Sequence, residues 1–245
     1  MASEAEPEII LYDLACIKNV CFSPIVWRIR MILNYKKVPY RTIFLEFPDI
    51  EPTLKGLGIP PSTSTPPILY TVPAITHLPT NTHLMDSLPI AEFLTTTYPS
   101  PPLPLTSPLG TQIQSIARSL LSSTFRASLL PREIHILSPK SQDYFRRTRE
   151  ATLGHRMEEL LEGEKEEKAW EESKEGWKEV GELLLTNREK GGFVLGEVPS
   201  YADFFVAGAL QCARVVDEGT FERMVGVKGF KEIYDACEPW LERKD

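Results

Sequence analysis

A serine followed directly by a proline, Ser23-Pro24, is the first pair in the chain whose types and spacing could do chemistry. Serine is a favoured helix N-cap and proline a favoured first helical residue. Ile25, Ile29, Ile32 and Leu33 follow at helical spacing, which predicts a helix with one apolar face. A hydroxyl at a helix start, among free N–H groups and the positive end of the dipole, suits an anion. The same residue can equally serve only as the cap of its helix. Asp86-Ser87, before the amphipathic run Leu88 to Leu94, repeats the pattern and predicts a second capped helix. Ser200 and Asp203, three apart before an apolar run, form a capping box whose role is structural.

The elements that would position these residues change character along the chain. Ile9 to Tyr12 and Arg41 to Leu45 read as strands, with the Ser23 helix between them. Pro48 to Leu54 reads as a short helical turn and Gly58 to Pro67 as a loop. Tyr70 to Ile75 is a strand carrying Pro73, which belongs at a strand start or a cis turn. Thr82 to Met85 is its return strand. Five prolines between Tyr98 and Pro108 mark a linker. Beyond it the pattern is helical: Leu109 to Leu137, which Pro131 should kink or end, then Ser141 to Leu161. The charged run Glu162 to Lys178 carries Trp170 and Trp177 on its inward face; Phe204 to Cys212 and Phe221 to Leu241 follow. The expected organisation is an α/β domain over 1–98, a proline-rich linker over 99–108 and an all-helical domain over 109–245.

Composition narrows the function. The net charge of −7 and the lack of a basic patch argue against nucleic acid as a partner. No apolar run approaches ~18 residues, so no membrane span is expected. Met1 to Glu8 has neither the form of a secretory signal nor that of a basic transit peptide, and the expected location is cytoplasmic. The four cysteines and four histidines fall in no metal-ligand spacing, so no metal is expected.

Val72-Pro73 opening the third strand, Asp86-Ser87 capping the next helix, and Ser200-x-x-Asp203 in a helical second half together resemble a cytosolic glutathione transferase. The resemblance covers nearly the whole chain and rests on the order of motifs, since none is specific alone. Ser23-Pro24-x-x-Trp27-Arg28-x-Arg30, Val38-Pro39-Tyr40, Tyr70 to Ile75 and Tyr144 to Glu150 further resemble the fungal etherase-related (FuA-type) transferases and the transferase-like proteins of the ustiloxin pathway. The family implies a thioredoxin-like N-terminal domain, an all-α C-terminal bundle, glutathione as co-substrate and a homodimer. It also implies an activity that adds glutathione to, or uses it to cleave, a hydrophobic electrophile of aromatic type, as in detoxification or secondary metabolism.

The resemblance assigns roles residue by residue. Ser23 matches the residue facing the glutathione sulfur, where omega-type relatives carry cysteine. Val72 matches the residue whose backbone bonds the cysteinyl part, with Pro73 cis. Asp86 and Ser87 match the pair holding the γ-glutamyl end, aspartate replacing the commoner glutamate. Lys55 and His77 are candidates for the glycyl carboxylate. Trp27, Phe125, Arg126, Leu129, Leu130 and Tyr144 are candidates for the electrophile site between the domains. Tyr12 could take the role of Ser23. Cys21, if it faced the site instead, would make the chain a thiol reductase. A non-catalytic glutathione-dependent ligand carrier and a protein-contact scaffold are further alternatives.

Overall fold

The computed structural model describes residues 6–63 and 69–242; part of the loop expected over 58–67 and the first residues of the N-terminus lie outside them. Strands β1 (Ile9–Leu14), β2 (Tyr40–Leu45), β3 (Ala74–His77) and β4 (Thr82–Met85) form one sheet in the order β2-β1-β3-β4. β1 is buried along its whole length: Ile9 to Tyr12 are apolar, as a central strand requires, and Asp13 is buried against Arg30. β2 runs parallel to β1, and a parallel pair needs a crossover. Helix α1 (Pro24–Lys36) supplies it. β3 is antiparallel to β1, and β4 to β3. Helices α2 (Ile50–Gly56) and α3 (Ser87–Thr97) complete this half. The third strand begins at Ala74, four residues later than its apolar run suggests, because Pro73 has no N–H for the ladder.

The proline-rich connection is tied back onto the first half. The Lys36 ammonium, at the end of α1, donates to the carbonyls of Tyr98 and Pro101, each at 2.7 Å. The second half is helical: α4 (Pro108–Thr124), α5 (Leu130–Glu133), α6 (Pro139–Leu153), α7 (Lys165–Leu184), α8 (Tyr201–Val216), α9 (Glu218–Val225) and α10 (Phe230–Cys237). The fold is therefore a thioredoxin-like sheet domain followed by an all-helical domain, as expected.

Of the two outcomes expected at Pro131, a kink or an end, the end does not occur; the helix is irregular just before it. A π turn over Phe125–Leu129 precedes it, and the Leu130 N–H donates to the Phe125 carbonyl. The extra residue in that turn eases the carbonyl clash that proline makes in a regular helix. The final helical stretch splits into α9 and α10, divided by Gly226 and by Gly229 at φ +98°.

Helix α8 is the centre of the second half, buried from Tyr201 to Ala213. Its start is held by Asp203, whose carboxylate accepts from the Ser200 N–H at 2.8 Å, the Ser200 hydroxyl at 2.6 Å and the Val194 N–H at 2.7 Å. Trp170 and Trp177 both face inward and stack at 5.4 Å between ring centroids.

One buried acid gives the fold a pH dependence. Glu133 is only 4% exposed. Burial pushes its carboxyl from an ordinary 4.5 up to about 8, against the opposing charge of Arg149. The folded chain thus holds a proton that the unfolded chain releases above 4.5, so Glu133 makes stability fall as pH rises from 4.5 toward 8. Glu133→Gln should remove this decline. In urea unfolding the variant should match the wild type near pH 5 and exceed it at pH 8 by on the order of a few kcal/mol. Parallel pH profiles for the two proteins would contradict this assignment.

Candidate functional site

The strand register brings the expected site residues to one end of the sheet. Ala74, at the start of β3, pairs with Tyr12 of β1 on one side and with Met85 of β4 on the other. The residues just beyond this row are therefore neighbours: Val72-Pro73 before β3, Asp86-Ser87 after β4, and the segment leading from β1 to Ser23. The Val72–Pro73 peptide is cis.

Ser23 occupies the N-cap of α1, is 6% exposed, and its Oγ accepts from the Val26 N–H at 3.3 Å. That bond uses an oxygen lone pair and leaves the hydroxyl proton free to donate. Asp86 sits at the N-cap position of α3 but makes no cap bond with its side chain. Its carboxylate accepts instead from the Ser62 hydroxyl at 2.7 Å. Its backbone has φ +73° and ψ +136°, a conformation that an L residue rarely adopts and that costs on the order of 1–3 kcal/mol. Ser87 is the first residue of α3, and the Tyr201 hydroxyl, from the start of α8, lies 3.2 Å from its Oγ. The helical half thus reaches the same sheet end.

Beside Ser23 lies a cavity of about 270 Å³ between the halves of the chain. Pro24, Ile25 and Arg28 line it from α1, Arg118, Leu121, Ser122 and Thr124 from α4, Phe125 and Leu129 from the π turn, and Phe205 from α8. Of the residues expected at an electrophile site, Phe125 and Leu129 are in this wall. The others are elsewhere. Trp27 is fully buried, its indole N–H donating to the Cys21 carbonyl at 3.1 Å, and is a core residue. Tyr144 stacks on Phe47 at 6.2 Å and does not line the cavity. Arg126 is exposed and Leu130 is core, and neither lines the cavity.

Sequence reasoning missed Arg28, Arg118, Phe205 and Tyr201. A signal existed for the arginines. Arg28 is one turn after Pro24 on the face that carries Ile25. Arg118, Leu121, Ser122 and Phe125 fall at three- and four-residue spacing on one face of α4. The Arg28 guanidinium carbon lies over the Phe205 ring, 4.3 Å from its centroid.

The competing thiol is shut away. Cys21 has no exposure. Burial, and the Asp13 carboxylate beside it, push its thiol well above the ordinary value. Cys16 donates to the Val20 carbonyl at 3.2 Å. The Tyr12 hydroxyl lies 3.3 Å from Thr76 Oγ1 within the sheet. Lys55 pairs with Glu51 at 2.6 Å, and His77 is buried between Thr80 and Tyr98 at 2.7 and 3.1 Å. Among the described residues no cluster of three or more His, Cys, Asp or Glu could hold a metal, and no helix is long and apolar enough to cross a membrane.

Comparison with known proteins shows the family. The family profile described as glutathione S-transferase, N-terminal domain, matches residues 22–97, and that for the C-terminal domain matches residues 110–240. The glutathione S-transferase-like protein ustS of Aspergillus flavus is 33% identical over 236 residues, spanning 89% of this chain and 84% of that protein. The crystal structure of glutathione transferase GSTFuA3 from Phanerochaete chrysosporium superposes with a TM-score of 0.84 at 29% identity, covering 98% of this chain and 99% of that one. The glutathione S-transferase CsGST63524 of Ceriporiopsis subvermispora, solved in complex with glutathione, gives 0.84 at 27% identity over 97% and 99%.

The cysteine geometry has a direct consequence, since all four thiols are buried. In the native protein a thiol-specific aromatic disulfide should label them at least ~100-fold more slowly than in denaturant. Rapid native labelling, mapped to Cys21 by mass spectrometry, would place that thiol in the site after all.

Proposed function

Because the chain belongs to the glutathione S-transferase family, we propose that it binds glutathione across the sheet end described above and transfers it to a hydrophobic, aromatic-type electrophile held in the adjoining cavity. The observation that carries this reading is the position of Ser23. Its hydroxyl caps α1 at the same sheet end as Val72-Pro73 and Asp86-Ser87, and the next two residues, Pro24 and Ile25, already line the cavity. Sulfur and electrophile would then meet at one helix start.

In this reading the Ser23 hydroxyl donates to the glutathione sulfur, and the N–H groups and dipole of α1 favour the thiolate. The thiolate is the nucleophile and the thiol a poor one. Lowering the thiol pKa by about two units needs ~2.7 kcal/mol, within reach of one hydrogen bond to a charged group plus the dipole. The Val72 backbone N–H, to which nothing accepts among the described residues, and its carbonyl would bond the cysteinyl part. Asp86 would pair the glutathione ammonium, held in place by Ser62. The Ser87 hydroxyl and the start of α3 would take the γ-glutamyl carboxylate. The sulfur then bonds to the electrophilic carbon. The leaving group departs with the electron pair of the bond it gives up, an aryl ether oxygen in an etherase-like reaction. The burial of Cys21 weighs against the thiol-reductase alternative.

Titrating the ultraviolet absorbance of bound glutathione thiolate in wild type and Ser23→Ala tests the proposal. The wild type should bring the thiol pKa down by about two units, and the variant should lose at least about one of them while still binding glutathione. Equal titrations would remove Ser23 from the mechanism and leave it only a cap.

A further inference from the structure

The cavity beside Ser23 is not uniformly apolar. Pro24, Ile25, Leu121, Phe125, Leu129 and Phe205 make much of its lining. Two arginines, Arg28 from α1 and Arg118 from α4, also line it, with no carboxylate among the lining residues. Among the described residues neither arginine forms a salt bridge, although the chain as a whole carries seven more negative than positive charges and Arg132, Arg146 and Arg223 are each paired with a glutamate. Arg28 Nε is buried without a hydrogen-bond partner, and so is the Thr124 hydroxyl, which also lines the cavity. The Tyr201 hydroxyl is the polar group that faces Arg28.

Two like charges facing one cavity, beside orphaned donors, oppose each other until something negative lies between them. Burial pushes the Arg28 guanidinium below its ordinary value; the Tyr201 hydroxyl opposes that, and the Arg118 charge adds to it. An anion placed there would relieve the repulsion and satisfy the donors, and arginine's planar fork suits an oxyacid. An interior of about 270 Å³ has room for a single substituted ring rather than a large polycyclic molecule.

We infer that this cavity selects an electrophile bearing an anionic oxyacid substituent, a carboxylate on an aromatic ring, with Arg28 and Arg118 holding the acid group and the ring lying on Phe125, Leu129 and Phe205. This rests on the reading above that the glutathione sulfur sits at Ser23. The first two turns of α1 then carry both ends of the reaction: Ser23 at the sulfur, and Arg28, one turn on, at the acid group. The anchored acid fixes which ring carbon faces the sulfur. The arginines are specificity-determining residues and take no part in bond making.

The test uses para-chloro-meta-nitrobenzoate and its methyl ester, which differ only in the negative charge. Their affinities are measured calorimetrically with and without saturating S-methylglutathione, which lacks the reactive thiol. The acid should bind more tightly than the ester by on the order of tenfold or more, as charge-assisted hydrogen bonds to guanidinium allow. Arg118→Leu, at an exposed position where folding is not at stake, should bring the two within about threefold, and Arg118→Lys, which keeps the charge without the planar fork, should keep part of the preference. Equal affinity for acid and ester, or a preference unchanged in Arg118→Leu, overturns the inference. The heat of S-methylglutathione binding, and chloride release from the ester with glutathione, report separately on the transferase reading. Failure of those signals with the acid preference intact would sink that reading alone.

Discussion

The close approach of α8 to α1 is the constraint on which the rest of the molecule depends. It is made at Gly208. A Cβ at this position would lie 2.7 Å from the Pro24 carbonyl and 3.3 Å from the Trp27 Cβ, so no larger residue fits without moving a helix. The contact falls at the first turn of α1, the turn that begins with Ser23. Because α8 is buried along most of its length and fixed at its start by Asp203, it sets the position of that turn against the helical half. The pieces that line or border the cavity follow from this seat. Phe205 lies under Arg28, the Tyr201 hydroxyl reaches Ser87, and the Tyr201 N–H donates to the Pro104 carbonyl at 3.0 Å. A cavity between two halves of a chain keeps its shape only if the halves are locked together, and here the lock and the candidate site share one helical turn.

A second buried interaction fixes α1 to the sheet. Arg30 donates to the Asp13 carboxylate at 3.0 Å, with both side chains wholly buried, and also to Thr42 at 3.1 Å. Burial pushes the Asp13 carboxyl up, and Arg30 opposes it. A buried pair of this kind adds little net stability, yet removing one partner strands the other charge at a cost of about 3–5 kcal/mol. It therefore specifies how α1 crosses β1 and β2. The same carboxylate discourages ionisation of the neighbouring Cys21. The chain thus has a hydroxyl at the helix start and a silenced thiol two residues earlier.

Much of this was legible in the sequence because it is local. Ser-Pro before an apolar helical face marks the start of α1, the Ser200/Asp203 spacing marks the start of α8, and the short apolar run Ile9 to Tyr12 marks a strand. What was not legible depends on which helices face each other. Trp27 lies on the same helix as Arg28, and only the packing of α8 decides that the indole is core while the guanidinium borders the cavity. Tyr144 went to Phe47 instead of the cavity for the same reason. The Asp86 carboxylate, read as a cap, accepts from Ser62 instead, a residue 24 positions earlier whose approach the local pattern does not show. The π turn before Pro131 was hidden because helical periodicity does not register one extra residue in a turn.

The measurement that bears most directly on this account is a crystal structure of the protein with glutathione bound. The account predicts the sulfur within about 3.5 Å of Ser23 Oγ, the cysteinyl backbone against Val72 and the γ-glutamyl end at Asp86 and Ser87. Glutathione bound with its sulfur turned away from the start of α1, and Ser23 bonded only to Val26, would contradict it.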